Sequence, residues 1–166
     1  MSMTAGERQQ RIDQYERGAI RLHDALNVVP DEAVKWRPAP GKWSAHEVVC
    51  HCADSETNAA ARIRFILCEE NPLVLGYDQA RWAKLLDYHS LPLEPALAAV
   101  EAVRAHTVFL LRRVAPEGWE RTGRHTESGS YSAERWLEIY AEHLEKHARQ
   151  IDRNLEAWRA EDTQPG

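Results

Sequence analysis

The apolar residues near the end of the chain place the strongest constraint on its fold. They recur mostly at steps of three and four residues, at Leu137, Tyr140, Ala141, Leu144, Ala148, Ile151, Leu155 and Trp158. Such steps put side chains on one side of an α-helix, so the pattern predicts a helix of about seven turns that begins at Ser132. An apolar face of that length has to be covered by other helices.

Three upstream segments are predicted to supply those helices. The first spans about residues 5 to 28, and the third begins at about residue 93 and ends near Pro116. The second begins at Ser44, because Ser44 and Glu47 form a capping box, and it extends to about Glu70. The apolar stripe of the second helix is Val48, Cys52, Ser55, Ala59, Ile63 and Ile66, and that of the third is Leu97, Val100, Arg104, Thr107, Leu111 and Val114.

Four long helices joined by loops, two of them long, predict an all-α four-helix bundle with long crossover connections. Residues 78 to 87 are predicted to form a further short helix. No segment shows the alternation expected of a strand, and the glycine-rich stretch 119 to 131 is predicted to be a long loop. The 166 residues are expected to form one domain, with its core at about residues 7 to 158.

Composition and charge exclude several classes of function. The chain has 21 Lys and Arg against 26 Asp and Glu, spread along its length, for a net charge of −5. This balance predicts no nucleic-acid partner. No apolar run approaches the roughly 18 residues of a membrane span, so no membrane partner is expected. The three cysteines are an odd number and no apolar leader precedes the first helix, which predicts free thiols and a cytoplasmic location.

Two histidines of the last helix are spaced as metal ligands. His143 and His147 stand four residues apart, about one turn of helix, so both imidazoles leave the same side. They flank the apolar stripe, at about 100° and 60° from Leu144. His51 flanks the stripe of the second helix in the same way, at about 60° from Val48. The three imidazoles are therefore predicted to converge on one metal ion inside the bundle.

The number of ligands indicates which kind of site this is. Three imidazoles with an open position are typical of catalytic sites, and imidazole suits Zn, Ni, Fe or Cu. The alternative is coincidence, because the chain has eight histidines. The other five are predicted to be structural or surface residues, with His46 exposed: His23, His46, His89, His106 and His125.

Other residues near His51 leave alternatives open. Cys50 and Cys52 flank it, but residues two apart on a helix point about 200° away from each other, so both are interpreted as small buried hydrophobic residues. Arg62 lies about three turns further along the same face, where it could bind a substrate anion or pair with a carboxylate at the edge of the core. Asp54 and Glu56 are weak candidates for a general base.

Two motifs in this order resemble those of the DinB-like superfamily, which includes the YfiT-type metal-dependent enzymes. The first is residues 40 to 56, PGKWSAHEVVCHCADSE, and the second is residues 143 to 151, HLEKHARQI. The resemblance implies a four-helix bundle with a long crossover and a divalent metal, Zn, Ni or Fe, held by His51, His143 and His147. No fourth ligand is implied.

The resemblance also implies an activity and a partner. Characterised relatives use the metal to activate a low-molecular-weight thiol for S-transfer or isomerisation, and others are called hydrolases, in which the same position would activate water. A small-molecule substrate and a homodimer are expected. The alternative from a different class is a non-catalytic metal-binding bundle associated with stress. An open, polar cavity beside the three histidines would favour catalysis over that alternative.

Overall fold

Four long helices form the body of the protein, as predicted. The computed structural model describes residues 2–162. The long helices are α1 (Ala5–Asn27), α3 (Ala45–Cys68), α5 (Leu93–Leu111) and α6 (Ala133–Asp162), and two short helices are α2 (Asp31–Val34) and α4 (Gln79–Leu85). Within the described residues no helix combines the length and the apolar character needed to cross a membrane.

The packing order of the four helices differs from their order in the chain. Helix α1 packs against α5 and α6, and α3 packs against the same two helices. Helices α1 and α3 therefore lie diagonally across the bundle, and the chain crosses between them through the segment that contains α2. This arrangement places the middle of α3 opposite the middle of α6.

Side-chain caps fix where two of the long helices begin. Ser44 accepts a hydrogen bond from the backbone N–H of Glu47, and the Glu47 carboxylate accepts one from the backbone N–H of Ser44. The capping box predicted for α3 is thus confirmed, and Thr4 with Glu7 forms another at the start of α1. Fixing the start of α3 fixes its rotation, so the predicted stripe from Val48 to Ile66 is buried.

The prediction that the chain has no strand was wrong. Strands β1 (Leu73–Val74), β2 (Thr122–His125) and β3 (Gly129–Ser132) form a small sheet, with β1 parallel to β2 and β2 antiparallel to β3. Much of the predicted loop 119 to 131 is this hairpin. Strands of two to four residues rich in Gly, Ser and Thr carry too little alternation to be recognised.

A charged side chain lies inside the bundle and requires a glycine opposite it. Arg104 of α5 is 1% exposed, and its guanidinium contacts the backbone of α1 beside Gly18. A Cβ atom at Gly18 would lie 2.3 Å from Nη1 of Arg104 and 3.2 Å from Cβ of Leu144. The absence of a side chain at this position allows α1 and α5 to close over the guanidinium.

We expect Gly18→Ala to destabilise the protein by about 1–3 kcal/mol, because the clash with Arg104 outweighs the better helix propensity of alanine. Gly6→Ala is the matched control, since Gly6 lies in the same helix and nothing is within 4 Å of the added Cβ. Urea denaturation of the two variants measures the difference. Equal free energies of unfolding would show that the bundle relaxes around the extra methyl group.

Candidate metal centre

The bundle brings the three predicted ligands together. His51 projects from α3, and His143 and His147 project from α6; one nitrogen of each lies within 4.8 Å of the others. The ring centroids of His51 and His147 are 4.8 Å apart, and those of His143 and His147 are 4.6 Å apart. Nitrogens bound to one tetrahedral ion lie about 3.4 Å apart, so the three rings would have to draw closer together to bind one ion.

The hydrogen bonding of His51 indicates a missing partner. His51 is completely buried, and neither of its ring nitrogens has a hydrogen-bond partner. Trp43 covers one side of the ring, with centroids 4.8 Å apart. Burying a polar nitrogen without a partner costs about 1–3 kcal/mol. Two such atoms in one ring therefore indicate that a ligand binds there and offsets the cost. A metal ion fits this donor set, because it would take the lone pair that no protein group uses.

The protonation of the imidazoles suits metal binding at neutral pH. Burial, together with His147 and His143, lowers the pKa of His51 to about 2. Burial and His143 lower the pKa of His147 to about 4. Both rings are therefore neutral at pH 7, and an ion can bind them without displacing a proton.

Neighbouring side chains orient two of the rings. Nδ1 of His147 lies 3.0 Å from Oε1 of Gln150, which leaves its Nε2 for a ligand role. Nδ1 of His143 lies 3.6 Å from Oε1 of Glu56, just beyond hydrogen-bond length. The Ser55 hydroxyl lies 3.5 Å from Nε2 of His143. The two α6 histidines thus differ, because Nδ1 of His147 has a side-chain partner whereas Nδ1 of His143 is buried without a hydrogen bond.

A buried ion pair supports Glu56 behind His143. Glu56 is completely buried; its carboxylate accepts hydrogen bonds from Arg104 at 2.9 Å and from the Tyr15 hydroxyl at 3.0 Å. Burial opposes ionisation of Glu56, but the charge and hydrogen bond of Arg104, with His143, outweigh it and lower the pKa. A permanent carboxylate therefore faces the imidazole of His143 from the core side.

A cavity of about 210 Å³ reaches His143 from the other side. Polar side chains dominate its lining, which includes Ser55, Arg62, Tyr77, His125, Tyr131 and Tyr140. A larger cleft of about 890 Å³ lies between α1 and α6, but charged side chains of both signs line it and none of the three histidines does. Of these two cavities, the smaller one includes a residue of the cluster, His143, in its lining.

The remaining candidate residues lie in different places. Arg62 lines the cavity, as the anion-binding interpretation requires. Asp54 does not: its carboxylate accepts a hydrogen bond from Tyr88 at 2.6 Å. Cys50 and Cys52 are buried as expected, and Cys68 is exposed.

The prediction that His46 is exposed was wrong. It is 4% exposed, and its Nε2 lies 2.9 Å from the carbonyl oxygen of Leu91. The segment that leads into α5 covers the first turn of α3, and the pattern of α3 alone could not indicate that cover. His125, predicted to be structural or on the surface, lines the cavity, and its Nδ1 accepts a hydrogen bond from the backbone N–H of Glu127.

Sequence reasoning missed Tyr77 and Tyr140 as lining residues of the site. Tyr77 follows β1, whose pairing with β2 was not predicted, so nothing local connected it with α6. Tyr140 was predicted to belong to the apolar stripe of α6, and most of its ring does lie in the core. Its position one turn before His143 was the available signal.

The fold and the site together define a class of four-helix-bundle proteins in which three histidines from two neighbouring helices form a candidate metal centre. Comparison with known families identifies the group: the model of the DinB superfamily matches residues 14–151. The chain belongs to the DinB superfamily, and the resemblance stated from the two histidine motifs is confirmed.

Individual relatives agree with this assignment. A protein of Oceanobacillus iheyensis named "Putative metal-dependent hydrolase" is 41% identical over 111 residues, which cover 67% of this chain and 64% of the relative. The match thus spans slightly less than two thirds of that relative's length. A protein of Halalkalibacterium halodurans with the same description is 30% identical over 81% of this chain and 78% of its own.

A solved structure shows the same fold. It is described as "YfiT from Bacillus subtilis is a probable metal-dependent hydrolase with an unusual four-helix bundle topology". The two chains superpose with a TM-score of 0.88 at 24% sequence identity, over 95% of this chain and 91% of the other. The predicted four-helix bundle with long crossover connections is thereby confirmed.

Proposed function

We propose that this protein is a metal-dependent enzyme in which His51, His143 and His147 hold a divalent ion, Zn, Ni or Fe, and the substrate is a low-molecular-weight thiol. The observation that carries the proposal is the buried His51 ring, whose two nitrogens have no partner. When bound, such an ion lowers the pKa of a thiol or a water molecule at its open position and so supplies a nucleophile at neutral pH.

The chain's own residues have separate tasks in this proposal. Gln150 holds the imidazole of His147 so that its Nε2 is kept for the ion, and the carboxylate of Glu56 faces Nδ1 of His143. Trp43 and the surrounding core exclude water from the inner side of His51. The cavity beside His143 admits the substrate. Asp54 can act as a general base only if the hydrogen bond that it accepts from Tyr88 breaks.

Hydrolysis is the second candidate function, and the printed names of the two bacterial relatives favour it. The three ligands are the same for both reactions, so they do not separate a thiol from water as the attacking group. A non-catalytic bundle is the less favoured alternative, because the cavity that reaches His143 is open and lined mainly by polar groups.

The first test is the metal content of untagged protein, with reconstitution of metal-free protein by Zn, Ni and Fe. We expect close to one ion per chain and, with the preferred ion, turnover of electrophilic substrates that depends on an added thiol. Turnover without a thiol would identify a hydrolase. Failure of every ion to bind would contradict the proposal in both forms.

A further inference from the structure

One arginine in the cavity beside His143 is only partly satisfied by the protein. Nη1 of Arg62 donates to the Tyr140 hydroxyl at 2.9 Å, and Nη2 donates to the carbonyl oxygen of Leu75. The Nε atom is buried and has no partner. Among residues 2–162, no carboxylate forms an ion pair with this guanidinium. The guanidinium therefore lacks an ion-pair partner within 4 Å, and the only carboxylate among the lining residues is that of Glu127.

A tyrosine hydroxyl in the same cavity also lacks a partner. The hydroxyl of Tyr77 is buried and makes no hydrogen bond. Burial raises the pKa of Tyr77 to about 12, so the group keeps its proton at neutral pH. Its ring is held between Trp82, at 4.3 Å between centroids, and the Arg62 guanidinium, at 5.7 Å. The cavity thus offers a second fixed donor beside the cation.

The two unpartnered donors and the charge define what they can bind. A guanidinium N–H and a phenolic O–H that belong to the lining of one cavity can donate to the two oxygens of one carboxylate. The single charge of Arg62 balances one negative charge on a ligand. The carboxylate of Glu127 lies against Gly76 at the cavity wall, and it would repel a second negative charge. A monoanion is therefore favoured over a phosphate dianion. A cavity of about 210 Å³ suits a small group rather than a whole cofactor.

We propose that Arg62 and Tyr77 form a carboxylate subsite, which anchors one end of a small organic acid while its other end reaches the histidine cluster at His143. This inference deepens the proposed function and rests on it for the reacting end of the substrate. The carboxylate subsite itself does not depend on the metal, so it can be tested separately.

Binding of propionate to the metal-free protein tests the subsite alone. We expect propionate to shift the NMR signal of the Arg62 Nε–H. Arg62→Gln should lower the affinity for propionate about tenfold or more, because a charge-assisted hydrogen bond is lost. Tyr77→Phe should lower the affinity less. Glu127→Gln should strengthen binding, because a like charge is removed. Inorganic phosphate should bind no more tightly than propionate.

Arg64→Gln is the matched control. Arg64 lies in the same helix, but its guanidinium donates hydrogen bonds to the carbonyl oxygen of Ala60 and to the hydroxyl of Thr107 in α5. It does not line this cavity. It should leave the affinity for propionate unchanged. Equal affinities of Arg62→Gln and the parent protein, or no propionate binding at all, would overturn the proposal.

The second arm joins the subsite to the proposed function. Cobalt-loaded protein is titrated with 3-mercaptopropionate and with 2-mercaptoethanol, and the sulfur-to-cobalt absorption band is followed. We expect the carboxylate thiol to bind about tenfold more tightly, and the preference to disappear in Arg62→Gln. Binding of both thiols without preference would overturn the subsite but not the thiol reaction. Arg62-dependent propionate binding without any sulfur band would keep the subsite and contradict the thiol reaction.

Discussion

His147→Ala is expected to abolish binding of the divalent ion while the bundle stays folded. His147 is one of only two ligands that α6 contributes, and its removal leaves two nitrogens where three converge. Loss of a residue that merely orients a ligand typically weakens metal binding by about 10–100-fold, so loss of a ligand itself should exceed that range. The metal content of untagged His147→Ala and His143→Ala proteins, measured by inductively coupled plasma mass spectrometry, checks the prediction.

The fold should survive the substitution because the core does not depend on the cluster. The buried stripes of α1, α3, α5 and α6 pack in two large hydrophobic clusters, and neither cluster includes any of the three histidines. This differs from a small zinc domain, in which metal binding supplies the folding free energy. Circular dichroism of the metal-free variants should therefore show unchanged helix content.

Two control variants make the result specific. Cys52→Ala removes a buried thiol one residue from His51 that does not belong to the cluster, and His106→Ala removes an exposed imidazole of α5. Both should keep the full metal content. Full occupancy in His147→Ala would remove it from the ligand set, and loss of metal in Cys52→Ala would make the thiolate a ligand.

Much of this centre could be predicted because it depends on helices with strong local signals. The capping box at Ser44 fixes where α3 starts, and the period of 3.6 residues then fixes the side on which His51 lies. The same period places His143 and His147 on one flank of α6. Convergence needs only that the two apolar stripes face one core, which the burial of Val48 and Leu144 satisfies.

The parts that could not be predicted depend on contacts between distant segments. Pairing of β1 with β2 brings Tyr77 to the cavity, yet the two strands are separated by about fifty residues and carry little alternation. The partner of Arg104 was hidden for a similar reason. The pattern of α5 places Arg104 on the apolar stripe, but nothing local indicates that Glu56 of α3 lies opposite.

Arg104→Met is expected to cost about 3–5 kcal/mol of unfolding free energy, because it leaves the buried carboxylate of Glu56 without its cation. The two side chains are 1% and 0% exposed, and their atoms are 2.9 Å apart. The double variant Arg104→Met with Glu56→Gln should recover most of the loss, since no buried charge then remains and Gln can still accept from Tyr15. Urea denaturation of metal-free protein at pH 7 measures all three.

The exposed pair of Arg112 and Glu16 is the control for this prediction. Its atoms are only 2.6 Å apart, but the side chains are 43% and 47% exposed. Arg112→Met should cost no more than about 1 kcal/mol, because water screens an exposed pair. Equal losses for Arg104→Met and Arg112→Met would show that burial does not set the strength of the inner pair.

The buried pair of Arg104 and Glu56 also makes the loss of stability in Arg104→Met depend on pH. The pKa of Glu56 is lowered in the folded protein, so its ionised form stabilises the fold above the ordinary carboxyl pKa of about 4.3, and this contribution is lost as the pH falls below that value. In Arg104→Met, burial without the cation raises that pKa, so Glu56 takes up a proton on mild acidification and the penalty is relieved. The difference in unfolding free energy between parent and variant should therefore be largest near pH 7 and shrink toward pH 4. A difference that stays constant across this range would mean that the carboxylate is not the source of the loss.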